Sequence, residues 1–218
     1  MNRAELPDFS ALVAASQTKG SGRLGRQWVS EPGTSLSVSV LLRPRVEQSN
    51  WSWFTLMAAL SIRATARELG LADVSIKWPN DVLAAGKKLS GILATVDQGE
   101  LILGMGLNLK PQTGAPDTAT SLSEQGAKHD LDEVLSLLLT HLRARYLRFT
   151  VDPSWAIELT RNEYIEGSST LGQRVRAIYP DGKELVGVAL DLDLAGNLLV
   201  QAGEIQTVAA ADIIHLRN

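Results

Sequence analysis

Lys19 to Trp28, KGSGRLGRQW, holds three glycines and three cations in ten residues and no acid. Glycine at 20, 22 and 25 weakens helix and strand alike, because each one loses backbone entropy on ordering. The stretch therefore reads as a loop. Backbone N–H groups in such a turn can converge on an anion, since no Cβ blocks the approach. Lys19, Arg23 and Arg26 add positive charge, and an arginine offers a two-pronged grip on phosphate or carboxylate. A solvated surface turn with incidental cations has the same composition, so the loop alone decides nothing.

Three further blocks carry residues of the same kind. KWPNDVL, Lys77 to Leu83, ends a strand in a rigid turn where Asn80 can hydrogen-bond a ligand and Asp81 can hold a metal. An ordinary Pro-Asn-Asp turn with Trp78 in the core explains it equally. KKLSGIL brings Lys87 and Lys88 to the head of an apolar strand, where a lysine either snorkels to water or neutralises a bound acid in a pocket. GMGLNL sets Gly104 and Gly106 inside a strand. Glycine is unfavourable there unless a ligand or another backbone comes close, and Asn108, two residues on, can face that ligand.

The 218-residue chain is long enough to bury roughly 70% of its unfolded surface without staples. The sequence has no cysteine, which excludes disulfides, thiolate zinc sites and cysteine nucleophiles. His129, His141 and His215 are far apart, which disfavours chemistry that needs paired histidines. A net charge of -3 argues against nucleic-acid binding by the chain as a whole. The N-terminus lacks a signal-peptide pattern and no run approaches the roughly 20 apolar residues of a membrane helix. The expectation is a cytoplasmic protein with no membrane partner.

These blocks need elements to position them. Ser35–Leu42 alternates small polar and apolar residues and reads as a strand. Ser49 or Asn50 is expected to cap a helix to about Leu69, stopped by Gly70. VSIKW is a short strand, and Asp97-Gln98-Gly99 separates two apolar runs as a hairpin turn. Residues 110–127 are a long Pro/Gly/Thr/Ser loop. Asp130 and Glu133 form a capping box for a helix to about Phe149, and a second helix after Pro153 carries Trp155, Leu159 and Tyr164 near one face. From Ser168 onward short strands alternate with turn residues, as in a small barrel or curled sheet. The fold class is α+β, divided into residues 1–166 and an all-β part at 167–218.

Taken in order, Gly-Ser-Gly-Arg-Leu-Gly-Arg-Gln-Trp, Lys-Trp-Pro-Asn-Asp, Lys-Leu-Ser-Gly-Ile-Leu and Gly-Met-Gly-Leu-Asn closely resemble the biotin protein ligases, from about Val13 to the end. The resemblance implies a mixed sheet with helices on one face, related to class II synthetases, followed by an SH3-like cap. It implies formation of biotinyl-5'-AMP from biotin and ATP with Mg2+, then transfer to a lysine of the biotin carboxyl carrier domain of an acyl-CoA carboxylase. It implies sheet-edge pairing, with a second copy as a homodimer or with the carrier domain.

By position, the resemblance gives Gln17, Gly20, Ser21, Gly22 and Arg23 biotin and adenylate contacts, and gives Lys88 the biotin carboxylate and α-phosphate. Lys88 and Arg23 are then the catalytic pair. Arg26, Trp28, Asn80 and Asn108 fall on the ATP side, with Trp28 near the adenine. Asp81 is the magnesium ligand and Lys77 orients the wall. Both substrates are anions, so an Arg/Lys/Gly loop with magnesium suits the chemistry without histidine or cysteine. The loop is expected to order around the adenylate.

Two departures stand out. Ser21 occupies a position where the family usually has arginine, which weakens or moves a phosphate contact. The family's Ser-Thr-Asn motif, which binds the ureido ring of biotin, is not found: either the start is misassigned, or the protein is truncated, or the pocket is incomplete, and an incomplete pocket would raise KM for biotin or abolish activity. The family's DNA-binding helix-turn-helix is also missing, so no operator binding is expected. Three other readings stay open: a lipoate or octanoate ligase or transferase, a degenerate homologue that binds nucleotide or carrier without turnover, and an interaction module centred on the β domain.

Overall fold

The computed structural model describes residues 5–14, 16–25 and 27–216. In chain order the first strands are β1 (Ser10–Ala14), β2 (Gln17–Ser21), β3 (Gln27–Ser30) and β4 (Ser35–Leu42), followed by helix α1 (Ser52–Glu68). Strands β5 (Val74–Lys77), β6 (Asp81–Ala84), β7 (Lys87–Asp97) and β8 (Glu100–Asn108) lead to helices α2 (Leu131–Val151) and α3 (Pro153–Gly167). The chain ends in β9 (Arg174–Ile178), β10 (Glu184–Leu192), β11 (Leu198–Ala202), β12 (Glu204–Val208) and β13 (Asp212–His215).

The large sheet has six strands in the order β1-β4-β8-β7-β6-β5, and β2-β3 form a separate ribbon. All its strand pairs are antiparallel, and among the described residues parallel pairing is confined to the bridges Ile76–Ser168 and Lys88–Ala119. The β7–β8 hairpin closes as the sequence suggests. Gln98 and Gly99 have φ of 52° and 77°, the left-handed pair that matches a two-residue turn to strand twist.

Period-two alternation divides the sheet into two unlike faces. Leu36, Val38, Val40 and Leu42 of β4 and Leu101, Leu103, Met105 and Leu107 of β8 are buried in the core with Trp53, Phe54, Met57 and Leu60 of α1. The register puts Ser35, Ser37, Ser39, Gly104 and Gly106 on the opposite face. One face is thus covered by helices, and the other is left with almost no side-chain bulk.

The helix ends follow local chemistry, with two corrections. Neither Ser49 nor Asn50 caps α1: Gln48–Asn50 form a 3-10 turn and the helix starts at Ser52. Its far end stops at Gly70, with φ 96°. Asp130 caps α2 by accepting from the Glu133 N–H at 2.8 Å, and Asp152 caps α3 through Trp155 N–H at 3.0 Å. The buried stripe of α3 is Ala156, Thr160 and Tyr164, whereas Trp155 is half exposed. Trp155 sits in the first turn, one position off the stripe, and so turns to solvent.

The last five strands pair in the order β12-β11-β10-β9-β13, all antiparallel. Two tryptophans fasten this sheet to the larger part. Trp53 Nε1 donates to Leu194 O at 2.8 Å, and Trp78 Nε1 donates to Gly196 O at 3.2 Å. Trp78 N–H also donates to Thr170 Oγ1 at 3.0 Å. The docking sets Ala211 and the start of β13 beside the bare face of the large sheet.

Candidate active site

A cavity of about 680 Å³ opens on that bare face. Its floor follows from the strand register. One row of directly paired residues crosses all six strands as Ala14–Ser37–Gly106–Gly91–Asp81–Lys77. The next row runs Leu12–Ser39–Gly104–Leu93. Glycine and serine in the middle leave room for a ligand, and charge gathers at the β5–β6 end.

The β2–β3 ribbon folds over this floor, which explains one glycine of the floor and one of the ribbon itself. A Cβ on Gly106 would run into the Trp28 indole, with Nε1 only 2.9 Å away. A Cβ on Gly20 would meet the Trp28 backbone and lie 2.8 Å from Gln17 Oε1. Close approach to another part of the chain, rather than turn geometry, is what these two positions require.

Lys88 ends over the same floor. Its Nζ lies 2.7 Å from Asp81 Oδ1 and 3.4 Å from the Cβ position of Gly91. Its backbone is fixed by the long loop, since Lys88 N–H donates to Thr118 O at 2.7 Å and Thr120 N–H donates to Lys88 O at 2.9 Å. Arg23 follows Gly22 in a 3-10 turn and reaches two elements. It donates from Nη1 to Asn80 Oδ1 and from Nη2 to Ala211 O, both at 3.4 Å. Both bonds are long for a charged donor. Asn80 is itself oriented by donating from Nδ2 to Ile92 O at 3.0 Å.

The lining cations are Lys19, Arg23, Lys77 and Lys88, against the acids Asp81 and Asp212. A surplus of positive charge around a small-residue floor suits an anionic ligand. His215 stands behind the wall, with Nε2 3.2 Å from Thr170 Oγ1. Burial, and then the neighbouring Lys77 cation, hold its pKa below the ordinary histidine value.

Gln17, Ser21, Gly22, Arg23, Trp28, Lys77, Asn80, Asp81 and Lys88 all line the cavity. Gly20 lies outside the lining and pairs with Trp28 across the ribbon. Asn108 lies outside the lining, because its amide donates to Thr120 O at 2.9 Å and Lys88 O at 3.4 Å and so holds the loop to β7. Trp28, expected near an adenine, lies on Gly106 in the interior, and Arg26 falls outside the described residues. Sequence reasoning missed the floor serines and the wall contributed by Ile178, Asp212, Ile213 and Ile214. The Ser35-Ser37-Ser39 alternation was the available signal for the floor. Nothing local in the β-rich tail announces the wall.

For magnesium, no group of three acidic or histidine side chains among the described residues could form a cage. Asp81 fits the other common arrangement, in which the ion is held by one carboxylate together with water and nucleotide phosphates.

The chain matches the biotin/lipoate A/B protein ligase family over residues 1–111 and the biotin protein ligase C-terminal domain over residues 170–216. It is 39% identical to a biotin–[acetyl-CoA-carboxylase] ligase of Mycobacterium tuberculosis, over 96% of this chain and 80% of that protein. It is 33% identical to the bifunctional ligase/repressor BirA of Bacillus subtilis, over 95% of this chain and 66% of the relative. Among solved structures, a biotin protein ligase from Aquifex aeolicus in complex with biotin and ATP superposes with a TM-score of 0.84 at 30% identity. That superposition covers 98% of this chain and 91% of the other.

Proposed function

The chain belongs to the biotin/lipoate A/B protein ligase family, and on that premise we propose that it is an ATP-dependent biotin protein ligase. The biotin carboxylate attacks the α-phosphate of ATP and pyrophosphate leaves. The ε-amine of a carrier lysine then attacks the acyl carbon of biotinyl-5'-AMP, and AMP leaves. The observation that carries this reading is the convergence of Lys88 and Arg23 on one cavity with a floor of serine and glycine.

In this assignment Lys88 bridges the biotin carboxylate and the α-phosphate, lowering the repulsion between two anions as they join. Arg23 leaves its two long bonds to hold the adenylate. Gln17, Gly20, Ser21 and Gly22 bound the biotin side. Arg26, Trp28, Asn80 and Asn108 serve the ATP side, Asn80 by aiming Arg23 and Asn108 by fixing the strand that carries Lys88. Asp81, together with the nucleotide phosphates, would hold magnesium, which would supply neutralisation of phosphate charge. Lys77 completes the cationic wall.

The division of labour follows residues 1–166 for catalysis and 167–218 for the cap. The protein partner is the biotin carboxyl carrier domain of an acyl-CoA carboxylase. The open edge at β1, with Leu12 and Val13 exposed, favours strand pairing with a second copy. None of the described helices is long and apolar enough to cross a membrane, and the working compartment is the cytoplasm.

The test is incubation with biotin, ATP and magnesium, followed by mass spectrometry for biotinyl-5'-AMP and then for a carrier domain heavier by one biotinyl group. Lipoic acid in equal amount serves as competitor. Preferential labelling with lipoyl would transfer the reading to the lipoate branch. Absence of both adenylates would refute it.

A further inference from the structure

Lys88 reaches the cavity floor through a break in strand alternation. Gly91 of β7 faces the cavity, whereas its neighbour Ser90 pairs with Leu107 in the row that packs toward the helices. Strict alternation would set Leu89 beside Gly91 on the floor and turn Lys88, with Ser90, toward the helices. The structure has the reverse. Leu89 is fully buried in the core, and Lys88 Nζ ends 3.4 Å from the Cβ position of Gly91. The cause is a β-bulge. Val82 pairs with Ser90 and Leu83 with Lys88, so β7 advances two residues where β6 advances one, and Leu89 is the extra residue.

A bulge disrupts the ladder locally and leaves backbone groups without their usual partners. Strand β8 supplies none at this point, because its pairing with β7 starts at Ser90. The long loop takes that place. Lys88 N–H donates to Thr118 O at 2.7 Å and Thr120 N–H donates to Lys88 O at 2.9 Å, a parallel bridge between Lys88 and Ala119. The loop is pinned in turn. Gln125 Nε2 donates to Thr120 Oγ1 at 2.9 Å, and Thr120 is only 3% exposed, so water does not replace that bond when it is lost. A chain of hydrogen bonds thus runs from Gln125 through Thr120 to the backbone of Lys88. Neither Thr120 nor Gln125 lines the cavity.

We propose that Thr120 and Gln125 are positioning residues for the reaction: they hold the Leu89 bulge in the register that turns Lys88 onto the cavity floor. The proposal rests on the biotin-ligase reading, which makes Lys88 the catalytic lysine. Since neither side chain reaches the ligand space, their effect passes through Lys88. A misplacement of roughly 1 Å in such a group lowers the rate without removing any contact to substrate elsewhere.

The experiment measures pyrophosphate release from biotin, ATP and magnesium by the full chain and its Thr120→Val, Gln125→Leu and Thr120→Ser variants. Each is made alone and together with Lys88→Ala. Hydrogen exchange at the Lys88 amide is followed by NMR in the same proteins. Thr120→Val and Gln125→Leu are expected to lower kcat about tenfold, with KM for biotin and ATP within threefold. Thr120→Ser keeps the acceptor and should restore at least half of the wild-type rate. In the Lys88→Ala background either change should matter less than twofold, because the residue it acts through is gone. The Lys88 amide should exchange at least fivefold faster in Thr120→Val, while amides in the middle of β8 stay within twofold. Losses that multiply with that of Lys88→Ala would overturn the proposal, as would a kcat within twofold of wild type in both variants. Unchanged exchange at Lys88 refutes the pin itself, whether or not the adenylate forms. A wild type with the expected exchange behaviour that forms no adenylate refutes the ligase reading, and the catalytic role with it, while the pin on the bulge stands.

Discussion

Lys88 and Asp81 form an ion pair at 2.7 Å beside Gly91, on the floor of the cavity rather than on an outer surface. Their side chains are 36% and 21% exposed. At that exposure the pair contributes about 0–1 kcal/mol to stability, so holding the fold together is not its main effect. What it does is keep an ammonium aimed over a floor with no side chain. Lys88→Ala is therefore expected to lower the rate of pyrophosphate release by about 10²–10³, the usual loss when one charge-stabilising donor is removed. The melting temperature should move by no more than about 4 °C. A parallel collapse of both quantities would make Lys88 structural.

Gly106 and Gly91 face the same ligand space but differ in what lies above them. A Cβ on Gly106 collides with the Trp28 indole, while one on Gly91 meets Lys88 Cε at 3.3 Å and Trp28 Cζ3 at 3.4 Å. The lysine end can shift by a few tenths of an ångström, but the indole cannot stay. Gly106→Ala should displace Trp28, seen as a shift in intrinsic fluorescence, and cost about 1–3 kcal/mol from overpacking. Gly91→Ala should leave the emission unchanged and lower stability by less. Equal emission spectra for the two variants would contradict the stacking.

The cavity was only half legible in the sequence. Glycines in strands and cations in a loop announced a bound anion, and Lys88, Asp81, Asn80 and Arg23 do meet there. The hairpin at Gln98-Gly99 and the caps at Asp130 and Gly70 were readable because they depend on neighbours in the chain. The serines of β4 were not, because alternation marks a two-faced strand without saying whether the polar face meets water or a cavity. Ile213 and Asp212 were out of reach for another reason. They become cavity wall only when Trp53 and Trp78 grip the Leu194–Gly196 turn, a contact made across more than a hundred residues. Asn108 shows the reverse case. It belongs to a ligand-like motif, yet its amide serves the loop that seats Lys88.

That turn makes its own prediction. Gly196 has φ 79°, and a Cβ there would lie 3.2 Å from Ser52 Oγ, 3.4 Å from Leu56 Cδ1 and 3.5 Å from Trp53 Cδ2. Left-handed backbone costs a non-glycine residue roughly 1–2 kcal/mol before any crowding. Gly196→Ala is expected to destabilise the protein by at least that much in urea denaturation and to loosen the seat of β13. Proteolysis should then cut first between α3 and β9. An unchanged urea midpoint would mean the two sheets dock without this turn.

His215 couples the neighbouring Trp78–Thr170 contact to pH. Its pKa is depressed in the folded protein, by burial first and the Lys77 cation second, while its Nε2 meets Thr170 Oγ1. The unfolded chain binds this proton near pH 6.5 and the folded chain only at lower pH. Between those two values the unfolded state carries more protons, so stability rises with pH across that window. Acidification below about 6.5 therefore removes stability until the folded pKa is passed. His215→Gln keeps a polar side chain toward Thr170 but cannot charge. Melting curves of wild type and variant from pH 7.5 to 5 should diverge below 6.5, with the wild type falling faster. Curves that stay parallel through that range would remove His215 from the acid sensitivity of the interface.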